Sequence, residues 1–303
     1  MNLYRILASL SACTILSALA GCGEVKIPGV VVHPPSGTWS LVAVGSVEGL
    51  DAPEGVRVDE ATGVGYVSNM VTGEGNYWQD DGKGFVSTLR PGGRLAELRW
   101  LDSTPAEPIH EPKGMCILRG VLYVADNTRV VAYSIDDGKR GVIPIPGAQQ
   151  INDVATDGRA VYATDTGGSA IYKLAAGAPP REIKSPRSPN GVTFDANGTM
   201  FVASWEMHEV FETDPRGAGW PVPFGLSDRF GGLDGIEVLP DGTFIVTDLK
   251  DGKIHAISAD RKTVTTLANV TTPTDIGLDR KRLLLYVPML HENRVAIFRL
   301  VKK

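Results

Sequence analysis

A short phrase recurs along most of this chain, and it restricts the fold more than any other feature of the sequence. The phrase is a polar residue, then Gly or Asp, then Val, Met or Ile, as in "PEGV", "PNGV" and "LDGI". Its first polar residues are Glu54, Lys113, Asn152, Asn190, Asp234 and Thr274. The copies are spaced by about 40 residues, apart from a longer first interval, and a period of that size is typical of stacked or circular repeats.

Each copy of the phrase opens a unit of alternating apolar residues interrupted by Gly, Asp and Asn turns. That alternation predicts antiparallel strands, and four strands in about 40 residues are typical of a propeller blade. We therefore predict an all-β fold, a six-bladed β-propeller with four-stranded blades. The last unit has three strands, and the segment "TWSLVAVGSV" (38–47) is predicted to supply its fourth and to close the ring. The alternative is a seven-bladed ring with one blade hidden near the N-terminus.

The first 37 residues are predicted to lie outside the propeller. Residues 1–21 combine Arg5 with an apolar run that is too short for a membrane span, which indicates a secretory signal peptide. The following "LAGC" resembles the bacterial lipobox, which implies acylation of Cys22; the alternative is an ordinary signal peptide with a chance cysteine. Residues 22–37 then read as the lipidated cysteine and a Gly- and Pro-rich tether, and residues 38–303 as a single propeller domain.

Charge and cysteine content exclude some functions. The formal net charge of -5, without a basic stripe, argues against nucleic acid as a partner. Of three cysteines, Cys13 lies in the signal and Cys22 is the lipidation site, so Cys116 is left without a disulfide partner. Because Cys116 lies in the apolar stretch "GMCIL", we interpret it as a buried strand residue.

The repeated polar residues are candidates for a metal site. The innermost strand of a propeller blade lines the central channel, so the six side chains are expected to converge near one mouth. Four of them carry carboxylate or amide oxygens: Glu54, Asn152, Asn190 and Asp234. An all-oxygen set favours a hard divalent cation, Ca²⁺ first, with Zn²⁺ or Mg²⁺ as alternatives. The competing interpretation is that Asn and Asp before Gly only form turns.

From residue 39 onward the chain resembles the SMP-30/gluconolactonase/regucalcin group of six-bladed propellers. That group places Glu, Asn, Asn and Asp around one divalent metal in phrases that match "PEGV", "INDV", "PNGV" and "LDGI" here. The resemblance implies Glu54, Asn152, Asn190 and Asp234 as metal ligands. It also implies hydrolysis of a lactone or related ester, in which the metal polarises the carbonyl and activates water.

The resemblance further implies catalytic candidates and two departures. Asp234 is the candidate base, helped by Asp153, and Lys113 is expected to orient an anionic substrate or to balance the acidic mouth. Lactonases of the group carry Arg where this chain has Gln150. The related paraoxonases carry His where it has Lys113. Sugar-acid specificity and a His mechanism are therefore not expected to transfer directly.

Two insertions interrupt the repeats and are candidates for binding loops. The first (69–84) carries Tyr77 and Trp78, and the second carries Trp220 and Phe224. The main hypothesis is a metal-dependent lactonase or esterase with a small-molecule substrate. It would be held to the membrane by its lipid, at the outer membrane facing the periplasm or at the cell surface. The alternative is a non-catalytic, NHL-like propeller that binds a ligand or an envelope protein.

Overall fold

The computed structural model describes residues 25–71 and 76–303, and in it six antiparallel sheets form a ring. The predicted six-bladed propeller with four-stranded blades is confirmed, and the seven-bladed alternative is wrong. The predicted signal peptide and Cys22 lie outside the described residues. Within the described residues, no helix is long and apolar enough to cross a bilayer.

The strands follow one another blade by blade after two N-terminal strands. They are β1 (Val30–Val32), β2 (Trp39–Val47), β3 (Pro53–Val58), β4 (Gly65–Asn69), β5 (Phe85–Arg90), β6 (Arg94–Asp102), β7 (Pro112–Leu118), β8 (Val121–Asp126), β9 (Arg129–Ser134), β10 (Arg140–Pro144), β11 (Ile151–Thr156), β12 (Val161–Asp165), β13 (Ala170–Leu174), β14 (Arg181–Ile183), β15 (Pro189–Phe194), β16 (Met200–Ser204), β17 (Glu209–Thr213), β18 (Val222–Pro223), β19 (Leu233–Val238), β20 (Phe244–Asp248), β21 (Lys253–Ile257), β22 (Val264–Val270), β23 (Gly277–Asp279), β24 (Leu284–Met289) and β25 (Arg294–Lys302). Two short 3₁₀ helices, Ser227–Arg229 and Leu290–Glu292, occupy loops.

The ring closes as predicted, because the N-terminal strand completes the last blade. Strand β2 pairs antiparallel with β25, from Trp39 opposite Lys302 to Val47 opposite Val295. The last blade therefore has the order β2-β25-β24-β23, and both ends of the chain contribute to it. Aliphatic side chains from this blade and the preceding one form a continuous buried cluster.

The predicted tether is partly wrong, because residues 25–37 belong to the fold. Strand β1 pairs with β22 and gives the fifth blade a fifth, outermost strand. Ile27 is only 5% exposed and packs into the cluster between the last two blades. The physical reason is that a valine run next to an unpaired strand edge gains ladder hydrogen bonds and covers that edge.

Buried carboxylates at the ends of the second strands tie the loops to the blades. Asp165 accepts hydrogen bonds from the backbone N–H groups of Gln149, Gln150 and Gly168, at 2.8–2.9 Å. Asp126 and Asp248 do the same in their own blades. These repeated aspartates therefore act as turn and hydrogen-bonding residues. They fix the loops that lead into the innermost strands.

Candidate metal centre

The repeated polar residue stands at a β-bulge in the innermost strand of five blades. In each, the pairing register with the second strand shifts across the phrase, as between Pro189 and Val192 and between Leu233 and Ile236. The same shift occurs in β3, β7 and β11. A bulge re-aims a side chain that regular pleating would direct to one face of the sheet. The repeat therefore specifies a side-chain direction as well as a strand.

The glycine of the phrase is required because adjacent innermost strands approach closely. A Cβ atom at Gly191 would lie 2.2 Å from the carbonyl oxygen of Asp234. One at Gly235 would lie 2.6 Å from the backbone nitrogen of Ile276. Both gaps are too short for any side chain, so these glycines bring neighbouring blades together around the channel.

The six repeated side chains, five of them at these bulges, line one cavity of about 700 Å³ at the centre of the ring. The residues that line it are Glu54, Met70, Tyr77, Trp78, Lys113, Gln150, Asn152, Thr166, Gly167, Ser169, Arg187, Ser188, Asn190, Trp205, Glu206, Asp234, Leu249, Thr274 and Leu290. The structure thus brings together all four sequence-predicted metal ligands and Lys113.

Each of the four predicted ligands holds a buried oxygen without a hydrogen-bond partner. These atoms are Glu54 Oε2, Asn152 Oδ1, Asn190 Oδ1 and Asp234 Oδ1. The hydroxyl oxygen of Thr274 is also buried and without a hydrogen-bond partner. All five residues are at most 8% exposed. Buried polar atoms are normally paired, so a set of unpaired oxygens in one cavity fits a bound cation.

The donor set has the chemistry of a hard-cation site, with few carboxylates. Two ligands are carboxylates and two are amides. Among residues 25–71 and 76–303, no three or more His, Cys, Asp or Glu side chains form a group that could hold a metal by themselves. Any metal in this cavity therefore depends on the Asn oxygens. That favours Ca²⁺, which accepts amide oxygens, over a metal that prefers nitrogen or sulfur.

Threonine hydroxyls on the second strands hold two of the repeated residues in place from the adjacent blade. Thr164 donates to the carbonyl oxygen of Asn190 at 2.7 Å, and Thr247 donates to that of Thr274 at 2.9 Å. Thr247 also accepts from the N–H of Gly235 at 2.8 Å. The first two of these buried bonds cross between blades, so they fix the position of one candidate residue relative to the next.

Burial raises the pKa of both candidate carboxylates. Burial raises the pKa of Asp234 to about 7, against the opposing effect of Lys113. Burial, and then the charge of Asp234, raise the pKa of Glu54 well above its usual range. Two buried carboxylates without a full counter-charge are unfavourable, and a divalent cation between them would relieve that cost.

Lys113 is engaged with the first insertion. Its Nζ donates to the carbonyl oxygens of Tyr77 at 2.7 Å and Glu111 at 3.0 Å, and lies 3.9 Å from the centre of the Trp78 ring. Burial lowers the pKa of Lys113 to about 8, although Glu54 and Glu111 oppose the change. Lys113 therefore positions the aromatic residues of the insertion, in addition to facing the carboxylates.

Asp153 is not in this cavity, although it follows Asn152 directly. Its carboxylate accepts from the N–H groups of Val154 at 2.6 Å and Val192 at 2.7 Å. It lines a separate cavity of about 60 Å³ together with Arg57 and Asp275. Burial raises the pKa of Asp153 to about 7. Asn152 and Asp153 are consecutive strand residues and project in different directions, so Asp153 lines a different cavity from Asp234, although the charge of Asp234 still raises the pKa of Asp153.

The first insertion forms part of the cavity wall, and the second does not. The Tyr77 hydroxyl and His291 Nε2 are 2.8 Å apart, and Tyr77 packs against Met70 and Leu290. In the second insertion Trp220 is 74% exposed and outside the cavity lining. Phe224 packs edge-on against Phe201 and Phe244. Of the two insertions that were candidates for binding loops, only the first contributes residues to the cavity wall.

Several cavity residues were missed, although the repeat carries a signal for them. Trp205, Leu249 and Leu290 each follow directly the last residue of a second strand. Met70 and Thr166 stand at the same place in their blades. Every one of these five residues lines the cavity. Aligning the units by the ends of their second strands would have identified this ring of loop residues.

Comparison with known proteins identifies relatives of this chain by fold only. No family model matches the sequence, and no curated protein is similar to it in sequence. Among solved structures, a streptogramin B lyase has a TM-score of 0.63 at 12% identity, over 87% of this chain and 98% of that one. A virginiamycin B lyase from Staphylococcus aureus, solved with quinupristin, has a TM-score of 0.58 at 13% identity, over 87% of this chain and 100% of that one. A gluconolactonase from Xanthomonas campestris has a TM-score of 0.64 at 17% identity, over 86% of this chain and 89% of that one. The chain therefore shares its propeller fold with gluconolactonases and lyases.

Proposed function

We propose that this protein is a divalent-cation-dependent hydrolase of lactones or related esters, with Ca²⁺ as its metal. The observation that carries the proposal is the set of four buried, unpartnered oxygens on Glu54, Asn152, Asn190 and Asp234 in one cavity of about 700 Å³. The shared fold with a gluconolactonase is consistent with this function. A bound cation supplies Lewis-acid polarisation of the carbonyl and lowers the pKa of water.

The remaining chemistry is assigned to the residues of the cavity. Asp234 is the candidate base, because its carboxylate lines the cavity with one oxygen that makes no hydrogen bond. Lys113 provides the nearby positive charge and holds Trp78 at the cavity wall. Asp153 takes no part in this assignment, because it lines the other cavity.

The cavity wall favours a substrate with one apolar and one polar side. The loops of blades four, five, six and one contribute Trp205, Leu249, Leu290 and Met70, and Tyr77 and Trp78 extend this apolar arc. Other parts of the wall carry the polar residues Gln150, Thr166, Ser169, Arg187 and Glu206. We therefore propose a lactone or ester with an apolar ring or chain, in preference to a sugar acid, whose many hydroxyls would be left unpaired on the apolar side.

The first test is calorimetric titration of the soluble fragment that begins near Gly23 with Ca²⁺, Mg²⁺ and Zn²⁺. We expect stoichiometric Ca²⁺ binding that Glu54→Gln abolishes. The matched control is Glu206→Gln, which removes the same charge from the rim of the same cavity, where Glu206 is paired with Arg187 at 2.8 Å. A panel of lactones and esters then tests catalysis. Wild-type protein that binds no divalent cation would refute the metal site.

A second candidate function is ligand binding without catalysis. The observation in its favour is that the amine of Lys113 is already bonded to two backbone carbonyls, and Asp153 lies elsewhere. The other carboxylate that lines the cavity, Glu206, is paired with Arg187 at 2.8 Å, so the candidate base is itself a proposed metal ligand. Metal binding without hydrolysis of any lactone or ester in the panel would favour this function over the hydrolase.

We also propose that the protein is a lipoprotein of the cell envelope, acylated at Cys22 in the "LAGC" sequence. Its membrane contact would begin with that lipid, and its substrate would be a small molecule outside the cytoplasm. Mass spectrometry of the N-terminal peptide tests this directly, because the diacylglyceryl and acyl groups add a large, defined mass. An unmodified peptide that still begins at residue 1 would refute it.

A further inference from the structure

The folded domain begins very close to the proposed lipid anchor. The N–H of Val25 donates to the carbonyl oxygen of Ala43 in β2 at 3.2 Å. Ile27 is buried between the last two blades, and β1 starts at Val30. Val25 follows Cys22 by three positions, and three residues span at most about 11 Å even when fully extended. A lipid on Cys22 therefore cannot hold the propeller far from a bilayer.

The surface around this attachment point carries exposed aliphatic side chains. Val25 is 41% exposed and Val31, in the middle of β1, is 61% exposed. Val31 lies on the outermost strand of its blade, where the unpaired strand edge and an exposed aliphatic side chain offer another surface a place to bind. Covering this strand edge would therefore contribute hydrophobic stabilisation beyond that of the lipid.

Positive charge accompanies these valines. Lys26 is exposed next to Val25. The Nζ of Lys303 donates to the carbonyl oxygen of Pro35, at 2.6 Å, so the C-terminal lysine lies against the segment that links β1 to β2. Lysines beside apolar side chains are the arrangement that attracts the anionic surface of a bilayer.

We propose that the N-terminal segment from Val25 to β1, with the exposed residues Val25, Lys26 and Val31, seats the propeller directly on an anionic lipid bilayer. This inference rests on the proposed acylation of Cys22. It is independent of the proposed hydrolase activity. The occupant is the membrane because the chain length between Cys22 and Val25 leaves no room for a freely moving domain, and because valines and a lysine match the chemistry of the bilayer surface.

The seating would leave the cavity uncovered. Strand β1 is the outermost of its blade, and β19, which carries Asp234, is the innermost, with three strands between them. At about 4.8 Å per strand, β1 lies roughly 19 Å from the channel-lining strand. The membrane contact would therefore be at the rim of the ring and the substrate cavity at its centre.

The test uses the full-length lipidated protein in phosphatidylglycerol and phosphatidylethanolamine vesicles, with a nitroxide attached at Val31→Cys. The native Cys116 is buried, which keeps it from being labelled. The matched control is a label at Glu97→Cys on the exposed strand β6. We expect vesicles to reduce collisions of a water-soluble relaxing agent with the label at position 31 by about threefold or more, and to leave position 97 unchanged.

A linker variant separates seating from mere tethering. Inserting about 20 Gly and Ser residues after Cys22 keeps the lipid but frees the domain, and should restore most of the collisions at position 31. Equal accessibility in vesicles and in buffer would overturn the proposal. Protection at position 31 without vesicles would also overturn it, since a second protein chain would then be the occupant. Lactone hydrolysis and metal binding, measured on the same samples, report separately on the proposed function.

Discussion

Replacing Asp234 by Asn is expected to stabilise the metal-free protein and to abolish its stabilisation by metal. In the metal-free fold, burial raises the pKa of the Asp234 carboxyl from 3.8 to about 7. Because 1.36 kcal/mol corresponds to one pKa unit, the ionised carboxylate costs the fold about 4 kcal/mol at pH 8. The neutral, isosteric amide avoids this cost. For a domain of this size the gain corresponds to roughly 10 °C in Tm.

The pH dependence gives the sign of the effect. The folded-state pKa of Asp234 lies above the unfolded-state value, so the cost is absent below about pH 4 and grows as the pH rises. It is complete above about pH 7. The stability difference between Asp234→Asn and wild type should therefore be largest at pH 8 and should vanish near pH 4.

The assay is urea unfolding with a chelator, and then with Ca²⁺ at about 100 times its Kd, where binding adds about 2.7 kcal/mol to wild type. Asp234→Asn should show no Ca²⁺ effect. The control is Glu97→Gln, which removes a carboxylate from the exposed face of β6 and should keep the Ca²⁺ effect. A variant that is no more stable than wild type without metal, and is still stabilised by Ca²⁺, would refute the reasoning.

Three further outcomes are expected. Lys113→Met removes two hydrogen bonds and the Trp78 contact, so amide exchange in residues 76–84 should rise by about tenfold or more; unchanged exchange would show that other contacts hold the loop. Asp165→Ala leaves three backbone N–H groups without their acceptor, so the free energy of unfolding in urea should fall by about 3–5 kcal/mol; a loss under 1 kcal/mol would contradict this. Trp205→Ala should lower kcat/KM for δ-decalactone by about tenfold and leave δ-valerolactone within about twofold; equal losses would argue against an apolar arc.

The architecture could be predicted from the sequence because its signals are local and repeated. The alternating strands and the repeated phrase recur in each unit, so a pattern that is weak in one unit becomes a reliable signal when it occurs six times. The closing strand β2 was predictable because the last unit lacked its outer strand. Strand β1 was not, because three valines between prolines form a strand only when an unpaired edge is nearby, and the sequence does not show that edge.

The residues of the candidate site could be predicted from the sequence, but the direction in which each side chain points could not always be. Repetition identified Glu54, Asn152, Asn190 and Asp234, and all four line one cavity. Asp153 was misplaced because adjacency along a strand says little about which cavity a side chain faces. The engagement of Lys113 with Tyr77 depends on how an insertion folds back over the ring, and no spacing in the sequence contains that information.

The pairing of β2 with β25 also determines when the protein can finish folding. Ser40 and Val301 meet in the last blade although they are 261 positions apart. Such long-range pairing slows folding, because the entropy of closing the loop is lost before the contacts form. The ring cannot be completed until nearly the whole chain has left the ribosome or a translocation channel. Until then the first blades present open sheet edges, so this protein is expected to be most sensitive to aggregation and proteases just before β25 arrives.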